Sequence, residues 1–451
     1  MTRRDVHAFA SGARQNYIYA AYPDPAAWGA RFNLAVAKAE AEIPLVRDAA
    51  GYQAVLRHLA TTFRDAHTGV QFQMAPIDAK WPGFLVRFDN GRYRVTSSRL
   101  AGVRDDAELT ACDGKPVSWW IDTIGQYEIS TPIALENSRM TAALRLLMDQ
   151  DSPLRSRPSQ CVIDGRTVGL DWKPAPLDEL QPIMLSWQGK RKRGVTTRLI
   201  GADGAWVTLG YFAPETARQA SDFHAAIAAA PSLRNKRFIV LDVGGNSGGP
   251  YDWFMGYLRG LYGQAYADYY ATARLHIRGV YRLSPAYVAL DGEAEQTADA
   301  FKTPVDTTLD VYRVKDDREQ ERAKAAGEPL FRAASIPIVR GKAPTSPVRA
   351  QVYVLTDYGC ASACIAFVDE MKKFPGVLQI GLPTFVDRRS GSSVAIPLPS
   401  GNAVAHFAAM TRDGRERDDN VPQIPSRRFT GDIRDDGALE RWVTHYVAIG
   451  S

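Results

Sequence analysis

The sequence predicts an α/β protein in which helices alternate with the strands of a parallel sheet. A strand at 205–212 (AWVTLGYF) is followed by a helix at 215–233. A buried strand at 238–241 leads through a glycine-rich turn into a second helix, and another at 352–355 leads through a tight turn into an amphipathic helix. Because strands that alternate with helices are typical of βαβ units, these stretches indicate an α/β core.

Composition and charge narrow the class of protein. The 451 residues are 45% hydrophobic and 23% charged, which is typical of a globular protein with room for two or three domains. The net charge of +5 is small for this length, so nucleic acid is not expected as a partner. A dense basic run at 190–193 lies between glycines and is interpreted as a solvated hairpin tip.

The sequence leaves the cellular compartment open. No apolar run approaches the ~18 residues of a membrane span, so none is predicted. The N-terminus is positively charged but lacks the apolar stretch of a signal peptide. We expect a periplasmic or secreted protein if a leader is missing from this chain, and a cytoplasmic one otherwise.

The four cysteines, which include Cys112 and Cys161, do not settle the compartment either. Cys360 and Cys364 are close enough for a disulfide, and two small buried thiols are an equal alternative. A Cys-x-x-x-Cys pair with no histidine nearby is a poor zinc site, so no metal site is predicted.

The first 65 residues are predicted to be helical, because 23–43 and 48–63 carry apolar residues at three- and four-residue spacing. A polar turn from Asp65 to Gly69 follows, before an alternating strand. An isolated histidine is more often structural than catalytic. His67, however, lies in a turn rather than on an apolar face, which favours a functional role.

Short strands are predicted from about 81 to 125, and Asp113 and Gly114 form a tight turn between two of them. A β-rich module of this size is typical of a domain that binds an extended peptide as an added strand, or of a plain β subdomain. A helix near 139–149 and further short strands are predicted before residue 195.

The region from about 265 to 345 is interpreted as an insertion, with a charged helix or loop at 316–329. The elements predicted after it are strands at 376–382, 393–398 and 402–410 and a closing helix at 438–449.

The glycine-rich turn at 244–249 does not fit a nucleotide site. It lacks the Gly-x-Gly-x-x-Gly pattern of dinucleotide sites, and Gly249 is followed by Pro250 rather than by the lysine of a phosphate loop. The backbone of this glycine-rich turn instead allows another group to approach closely, and it can direct N–H groups at an anion. No cofactor is predicted.

Ser362 is placed where the tight turn becomes a helix. A hydroxyl there lies near unpaired backbone N–H groups and the positive end of the helix dipole, where a nucleophile can be activated and an oxyanion held. The alternative is an ordinary N-cap serine.

Three stretches, in this order, are similar to a known family. FRDAHTGVQF (63–72), FIVLDVGGNSGGP (238–250) and VYVLTDYGCASACIAF (352–367) resemble segments of the carboxyl-terminal processing, or tail-specific, serine peptidases and their tricorn-like relatives. ELTACDGKPV (108–117) resembles the end of a degenerate PDZ domain. The resemblance covers about half of the chain, and Ser362 matches the nucleophile of the family.

The resemblance implies an α/β fold with a crotonase/ClpP-like catalytic core, an N-terminal helical segment and a small PDZ-like β module. The implied divisions are a helical segment at 1–75, the PDZ-like module at 76–130, a connecting β/α region at 131–200, and the peptidase core at 201–451 with its insertion.

The general base of the resembled family distinguishes its branches. Tail-specific members take a lysine from a Thr-Phe-Gly-Lys-Gly loop, where this chain reads Thr-Phe-Val-Asp-Arg and has Asp387 in place of the lysine. Lys372 and Lys373 cannot substitute, because they lie about 15 Å farther along the helix of the serine. A Ser-Lys dyad is therefore excluded on this alignment.

Tricorn-like members use a histidine from the N-terminal turn and a glutamate shortly before a Val-x-Pro-Asp segment. His67 matches the histidine, and Glu416 precedes Pro422 at the expected spacing. The resemblance thus implies that His67 takes the proton of Ser362 while Glu416 orients the imidazole.

The same resemblance implies an oxyanion hole. The backbone N–H of Ala363 and one from Gly248 or Gly249 would form it.

Several alternatives remain within this scheme. Asp418 or Asp419 replaces Glu416 if the loop is shifted by a residue or two, and His406, in an alternating strand, is a rival base. Arg388 and Arg389 either receive a substrate carboxylate or belong to a solvated loop.

The function predicted from the sequence is a serine peptidase that hydrolyses peptide bonds of a peptide or protein substrate through an acyl-enzyme on Ser362. The alternative is a catalytically inactive ligand- or peptide-binding protein on the same fold. A redox role for Cys360 and Cys364 is weaker, because their spacing is not that of thioredoxin.

Overall fold

The structure is a computed structural model that describes residues 1–189, 193–271, 278–304, 310–333 and 341–449. Residues 190–192 of the basic run lie outside the described residues. The α-helices are α1 (Thr2–Asn16), α2 (Pro25–Glu42), α3 (Ala49–Thr61), α4 (Val117–Glu128), α5 (Glu136–Leu146), α6 (Leu177–Trp187), α7 (Ala217–Ala229), α8 (Tyr251–Tyr262), α9 (Gln264–Tyr270), α10 (Pro285–Ala300), α11 (Asp310–Ala325), α12 (Ala363–Met371) and α13 (Asp436–Ile449).

The strands are β1 (Gly69–Phe72), β2 (Ala79–Trp81), β3 (Leu85–Asp89), β4 (Arg92–Thr96), β5 (Leu109–Cys112), β6 (Lys115–Pro116), β7 (Gln160–Ile163), β8 (Arg166–Gly169), β9 (Lys173–Ala175), β10 (Val195–Ile200), β11 (Gly204–Leu209), β12 (Phe238–Asp242), β13 (Arg278–Arg282), β14 (Leu330–Arg332), β15 (Gln351–Thr356), β16 (Leu378–Gly381), β17 (Ser390–Pro397), β18 (Ala403–Asp413) and β19 (Arg427–Arg428). Short 3-10 helices lie at Ile18–Ala20, Ile43–Leu45 and Ala230–Leu233.

The chain divides into two compact units. The first contains residues 1–188 and 390–410, and the second contains residues 189–389 and 411–451. The four divisions implied by the sequence, including the PDZ-like module and the crotonase/ClpP-like core, remain predictions.

The first unit begins with α1. The predicted helices α2 and α3 follow, and each starts at an aspartate N-cap. After α3 the polar turn leads into β1, which pairs antiparallel with β18 so that Gly69 lies opposite His406. β18 also pairs with β17, so both strands belong to the sheet that contains β1, directly after the turn of His67.

The β-rich part of this unit contains two of the predicted short strands, β3 and β4, which pair antiparallel. Asp113 and Gly114 both have positive φ and join β5 to β6, as predicted for a tight turn. A disulfide joins Cys112 of β5 to Cys161 of the adjacent antiparallel β7.

One prediction for this region was wrong. Residues 117–128 form the helix α4 instead of a strand. Val117, Trp120, Ile121 and Ile124 recur at three- and four-residue spacing and are buried, so a helix places all four on one apolar face. A strand would have sent neighbouring apolar residues to opposite faces.

The second unit contains the predicted parallel sheet. Its strand order is β10-β11-β12-β15-β16-β19, and every neighbouring pair from β11 to β19 is parallel, with β10 antiparallel at the edge. All five residues of β12 are buried, as expected for a parallel strand covered on both faces. The α/β core is confirmed.

The predicted insertion contributes α10, α11 and the antiparallel pair of β13 and β14. The charged stretch at 316–329 is helical up to Ala325, and Arg322 pairs with Glu319 and Glu328 on its surface. Among the described residues, no helix has the length and apolarity needed to cross a bilayer.

Candidate active site

Ser362 lies in a strained turn between β15 and α12. Its φ of 53° and ψ of −121° belong to a region that costs a residue with a side chain about 1–3 kcal/mol. Its side chain does not make the bond to a backbone N–H by which an N-cap serine usually closes a helix. Both observations favour a functional serine over an ordinary cap.

The two cysteines that flank Ser362 are bonded to each other. Cys360 and Cys364 form a disulfide, and both are fully buried. The bond ties the turn before the serine to the first turn of α12. It resolves the choice between a disulfide and two thiols that the sequence left open.

The glycine-rich turn after β12 contacts the turn of Ser362. A Cβ on Gly248 would lie 2.8 Å from the backbone nitrogen of Ala363 and 2.9 Å from the Cβ of Ser362. The φ of Gly248 is also positive, at 101°, so a larger residue would be strained as well as crowded. The structure therefore places the predicted Gly248, Ala363 and Ser362 together.

Asn246 connects these two turns, a role that sequence reasoning missed. This buried residue accepts the N–H of Ala361 on its backbone carbonyl at 2.9 Å. Its side-chain oxygen accepts the N–H of Gly248 at 2.8 Å, and its side-chain nitrogen donates to the carbonyl of Leu209 at 2.7 Å. In the described part of the chain, the N–H groups of Ala363 and Gly249 have no protein acceptor.

Two buried carboxylates lie at the carboxyl ends of the adjacent parallel strands β12 and β15. Asp357 accepts the backbone N–H groups of Gly245 and Gly359, both at 2.8 Å, and so joins the glycine-rich turn to the turn of the serine. Burial raises the pKa of Asp357 to about 6. Asp242 pairs with Arg193, which precedes β10. A carboxylate just after a parallel strand was the available sequence signal.

Glu416 is exposed at the border of a pocket of about 430 Å³ in the second unit. No hydrogen bond or ion pair of Glu416 occurs among the described residues. Ala366 of α12 also lines this pocket, but Ser362 does not. The remaining lining residues are Tyr251, Asp369, Glu370, Lys372, Lys373, Asp387, Arg415, Arg417, Val421, Pro422 and Gln423.

Asp387, at the position of the lysine of the resembled tail-specific peptidases, is the centre of a buried ion-pair network. Arg415 and Arg417 each donate to its Oδ1 at 2.9 Å, and all three side chains are 6–7% exposed. Arg417 also pairs with Asp369 at 3.1 Å. These contacts stabilise the loop of Glu416.

His67 belongs to the first unit, where its turn is held by several hydrogen bonds. Its backbone N–H donates to Asp65 Oδ1 at 2.9 Å, and its carbonyl accepts the hydroxyl of Ser393 at 2.6 Å. The hydroxyl of Thr68 accepts the N–H of Ala408 at 3.2 Å. The imidazole side chain is 19% exposed, so it is held but reachable.

The alternative residues have other surroundings. His406 lies in β18, where partial burial lowers its pKa. Asp419 pairs with Arg388 at 3.1 Å and Asp418 pairs with Arg389 at 3.2 Å. Both arginines of this loop are thus engaged in ion pairs with the chain itself.

No protein-family model matches the sequence, and no curated protein sequence matches it. Solved structures do match. Mature CPAF is 16% identical with a TM-score of 0.61, over 98% of this chain and 95% of that one. Mature CPAF complexed with lactacystin is 15% identical with a TM-score of 0.62, over 99% and 98%. A photosystem II D1 C-terminal processing protease is 13% identical over 95% of this chain and 92% of that one, with a TM-score of 0.34. This chain therefore has the fold of mature CPAF.

Proposed function

We propose that this chain is a serine peptidase that hydrolyses peptide bonds through an acyl-enzyme on Ser362, with His67 as general base. The observation that carries the proposal is the turn of Ser362. A serine with a strained backbone, whose side chain does not cap the helix that follows, projects from a strand-to-helix turn as an activated nucleophile does. The fold shared with CPAF and the resemblance of three segments to carboxyl-terminal processing peptidases support it.

The proposed reaction is acyl transfer followed by hydrolysis. His67 takes the hydroxyl proton of Ser362 as Oγ attacks the substrate carbonyl carbon. The imidazolium then gives this proton to the leaving amine as the C–N bond breaks, and water releases the acyl group in a second cycle.

The oxyanion would be held by backbone N–H groups. Ala363 is the first residue of α12, so its N–H also lies at the positive end of the helix dipole. Of the two predicted glycines, Gly249 suits the second donor better, because the N–H of Gly248 already donates to Asn246.

The identity of the orienting carboxylate is a separate part of the proposal. Glu416, predicted from the sequence, is exposed and borders the 430 Å³ pocket. It stays a prediction for the residue that orients His67. The same pocket, lined by Lys372 and Lys373, is a candidate surface for part of a peptide substrate.

A fluorophosphonate probe tests the nucleophile. We expect the probe to label the wild type and not Ser362→Ala. Ser284 offers a matched control, because it is a true N-cap whose hydroxyl accepts the N–H of Tyr287 at 3.2 Å. Ser284→Ala should cost about 1 kcal/mol of stability and leave labelling intact.

Other outcomes have definite meanings. Labelling that survives Ser362→Ala would place the nucleophile elsewhere. A folded wild type that neither reacts with the probe nor cleaves a library of peptides would favour the inactive binding protein instead.

A further inference from the structure

Asp65 is a fully buried carboxylate at the start of the His67 turn. Its Oδ2 accepts the hydroxyl of Tyr17 at 3.0 Å and the hydroxyl of Ser390 at 2.7 Å. Its Oδ1 accepts the backbone N–H of His67 at 2.9 Å. Three separate parts of the first unit therefore fix the position of this carboxylate, at the cost of burying it.

The same Oδ1 lies 3.8 Å from Nδ1 of the His67 ring. This distance is longer than a hydrogen bond but within the range of an ion pair. Catalytic hydrogen bonds are often long in unliganded structures and tighten when the substrate is bound. Because the backbone of His67 is held on both sides, the gap closes by rotation of the ring and not by movement of the turn.

We propose that Asp65 is the positioning residue that orients His67 for catalysis, an inference that rests on the proposed function. A carboxylate beside Nδ1 favours the tautomer with the proton on Nδ1, which leaves the lone pair of Nε2 to accept the proton of Ser362. It also stabilises the imidazolium that forms when this proton is transferred. Asp65 itself stays unprotonated throughout, as the acid of such a triad does.

A purely structural role explains less of this geometry. A turn of the Asx type needs only the bond from Oδ1 to the backbone N–H of His67. It does not require the same oxygen to lie against the ring of that histidine. Asp65 replaces Glu416 as the orienting group in this proposal, since Glu416 is exposed and has no ion pair among the described residues.

The first unit contains a matched control for Asp65. Asp5 is also fully buried, and it accepts the hydroxyl of Tyr52 at 2.8 Å and the backbone N–H of Ser400 at 3.1 Å. Neither of these partners is a histidine ring, so Asp5→Asn reproduces the loss of a buried carboxylate without touching His67.

The first experiment reads the histidine directly and needs no activity. With ¹⁵N-labelled histidine in the full chain, we expect the neutral ring of His67 in the wild type to carry its proton on Nδ1. Asp65→Asn should shift the population toward the Nε2–H tautomer, and Asp5→Asn should not. A wild-type His67 that is mainly the Nε2–H tautomer would overturn the inference, even if Asp65→Asn did not fold.

The second experiment measures the rate of fluorophosphonate labelling. We expect Asp65→Asn to slow it about 100-fold, the effect of a misplaced catalytic group, and Asp5→Asn to change it less than about threefold. Folding of both variants is checked by circular dichroism. Labelling of Asp65→Asn at the wild-type rate, or a larger loss in Glu416→Gln than in Asp65→Asn, would contradict the role of Asp65.

The two proposals fail in different ways. If the wild type is not labelled at all, the proposed peptidase function fails while the tautomer of His67 still reports on Asp65. If the wild type is labelled at Ser362 and Asp65→Asn is labelled equally fast, only the inference about Asp65 fails.

Discussion

Replacing Ser362 with glycine should give a more stable protein than replacing it with alanine, and both changes remove the proposed nucleophile. The backbone of Ser362 is held at a φ of 53° and a ψ of −121°, where a residue with a Cβ is strained. Glycine has no Cβ and adopts this conformation without the strain. The useful comparison is Ser362→Gly against Ser362→Ala, because both variants lose the hydroxyl and differ only in the Cβ.

The expected difference can be worked out from two opposing effects. Release of the strain is worth about 1–3 kcal/mol. The greater conformational freedom of glycine in the unfolded chain takes back about 0.5–1 kcal/mol. Ser362→Gly should therefore exceed Ser362→Ala in free energy of unfolding by about 1 kcal/mol.

Urea denaturation measures this difference as a shift of the midpoint at an unchanged m-value. Ala361 is the control, because it is the preceding residue and has no positive φ. Ala361→Gly should lower the free energy of unfolding by about 0.5–1 kcal/mol. The two glycine substitutions, one residue apart, should thus have opposite signs. If Ser362→Gly is less stable than Ser362→Ala, the backbone of Ser362 is not strained and the reasoning from its conformation fails.

Three further predictions concern stability. The pKa of Asp357 is raised by burial to about 6, above its value of 3.8 in the unfolded chain, so this group stabilises the fold at low pH. Its contribution should fall by up to about 3 kcal/mol as the pH rises from 4 to above 6, and urea titrations of Asp357→Asn should lack that part of the fall. Removal of the Cys112–Cys161 disulfide, which spans 49 residues, should lower the free energy of unfolding by about 4 kcal/mol in urea denaturation. An unchanged free energy of unfolding would contradict this. Asp387→Lys should cost about 3–5 kcal/mol in the free energy of unfolding, because it places a cation against Arg415. Asp387→Glu should be tolerated far better in the same denaturation assay.

The elements that the sequence predicted well are those with a local pattern. The buried strand β12 and the turn after it could be read from a run of apolar residues followed by glycines. The same holds for β15 and the helix of Ser362. The sequence predicts a strand where α4 lies, because the apolar residues of α4 come directly after two short strands and a tight turn. That arrangement is also typical of a continuing sheet.

The parts that could not be predicted depend on contacts between distant residues. Asp65 accepts the hydroxyl of Ser390, which lies 325 residues later in the chain. Arg193 pairs with Asp242 across 49 residues. No spacing rule joins such partners, because the tertiary structure and not the local sequence brings them together.

The tail-specific peptidases that this chain resembles have a lysine where it has Asp387, and this difference has a structural counterpart. An aspartate at position 387 would be an uncompensated buried charge by itself, but Arg415 and Arg417 neutralise it and are in turn held by it. Three residues therefore depend on one another at this position, and replacing Asp387 removes the ion-pair partner that Arg415 and Arg417 share. A peptidase with this loop must take its base from elsewhere, and a histidine in a rigid turn beside a buried carboxylate is suited to that role.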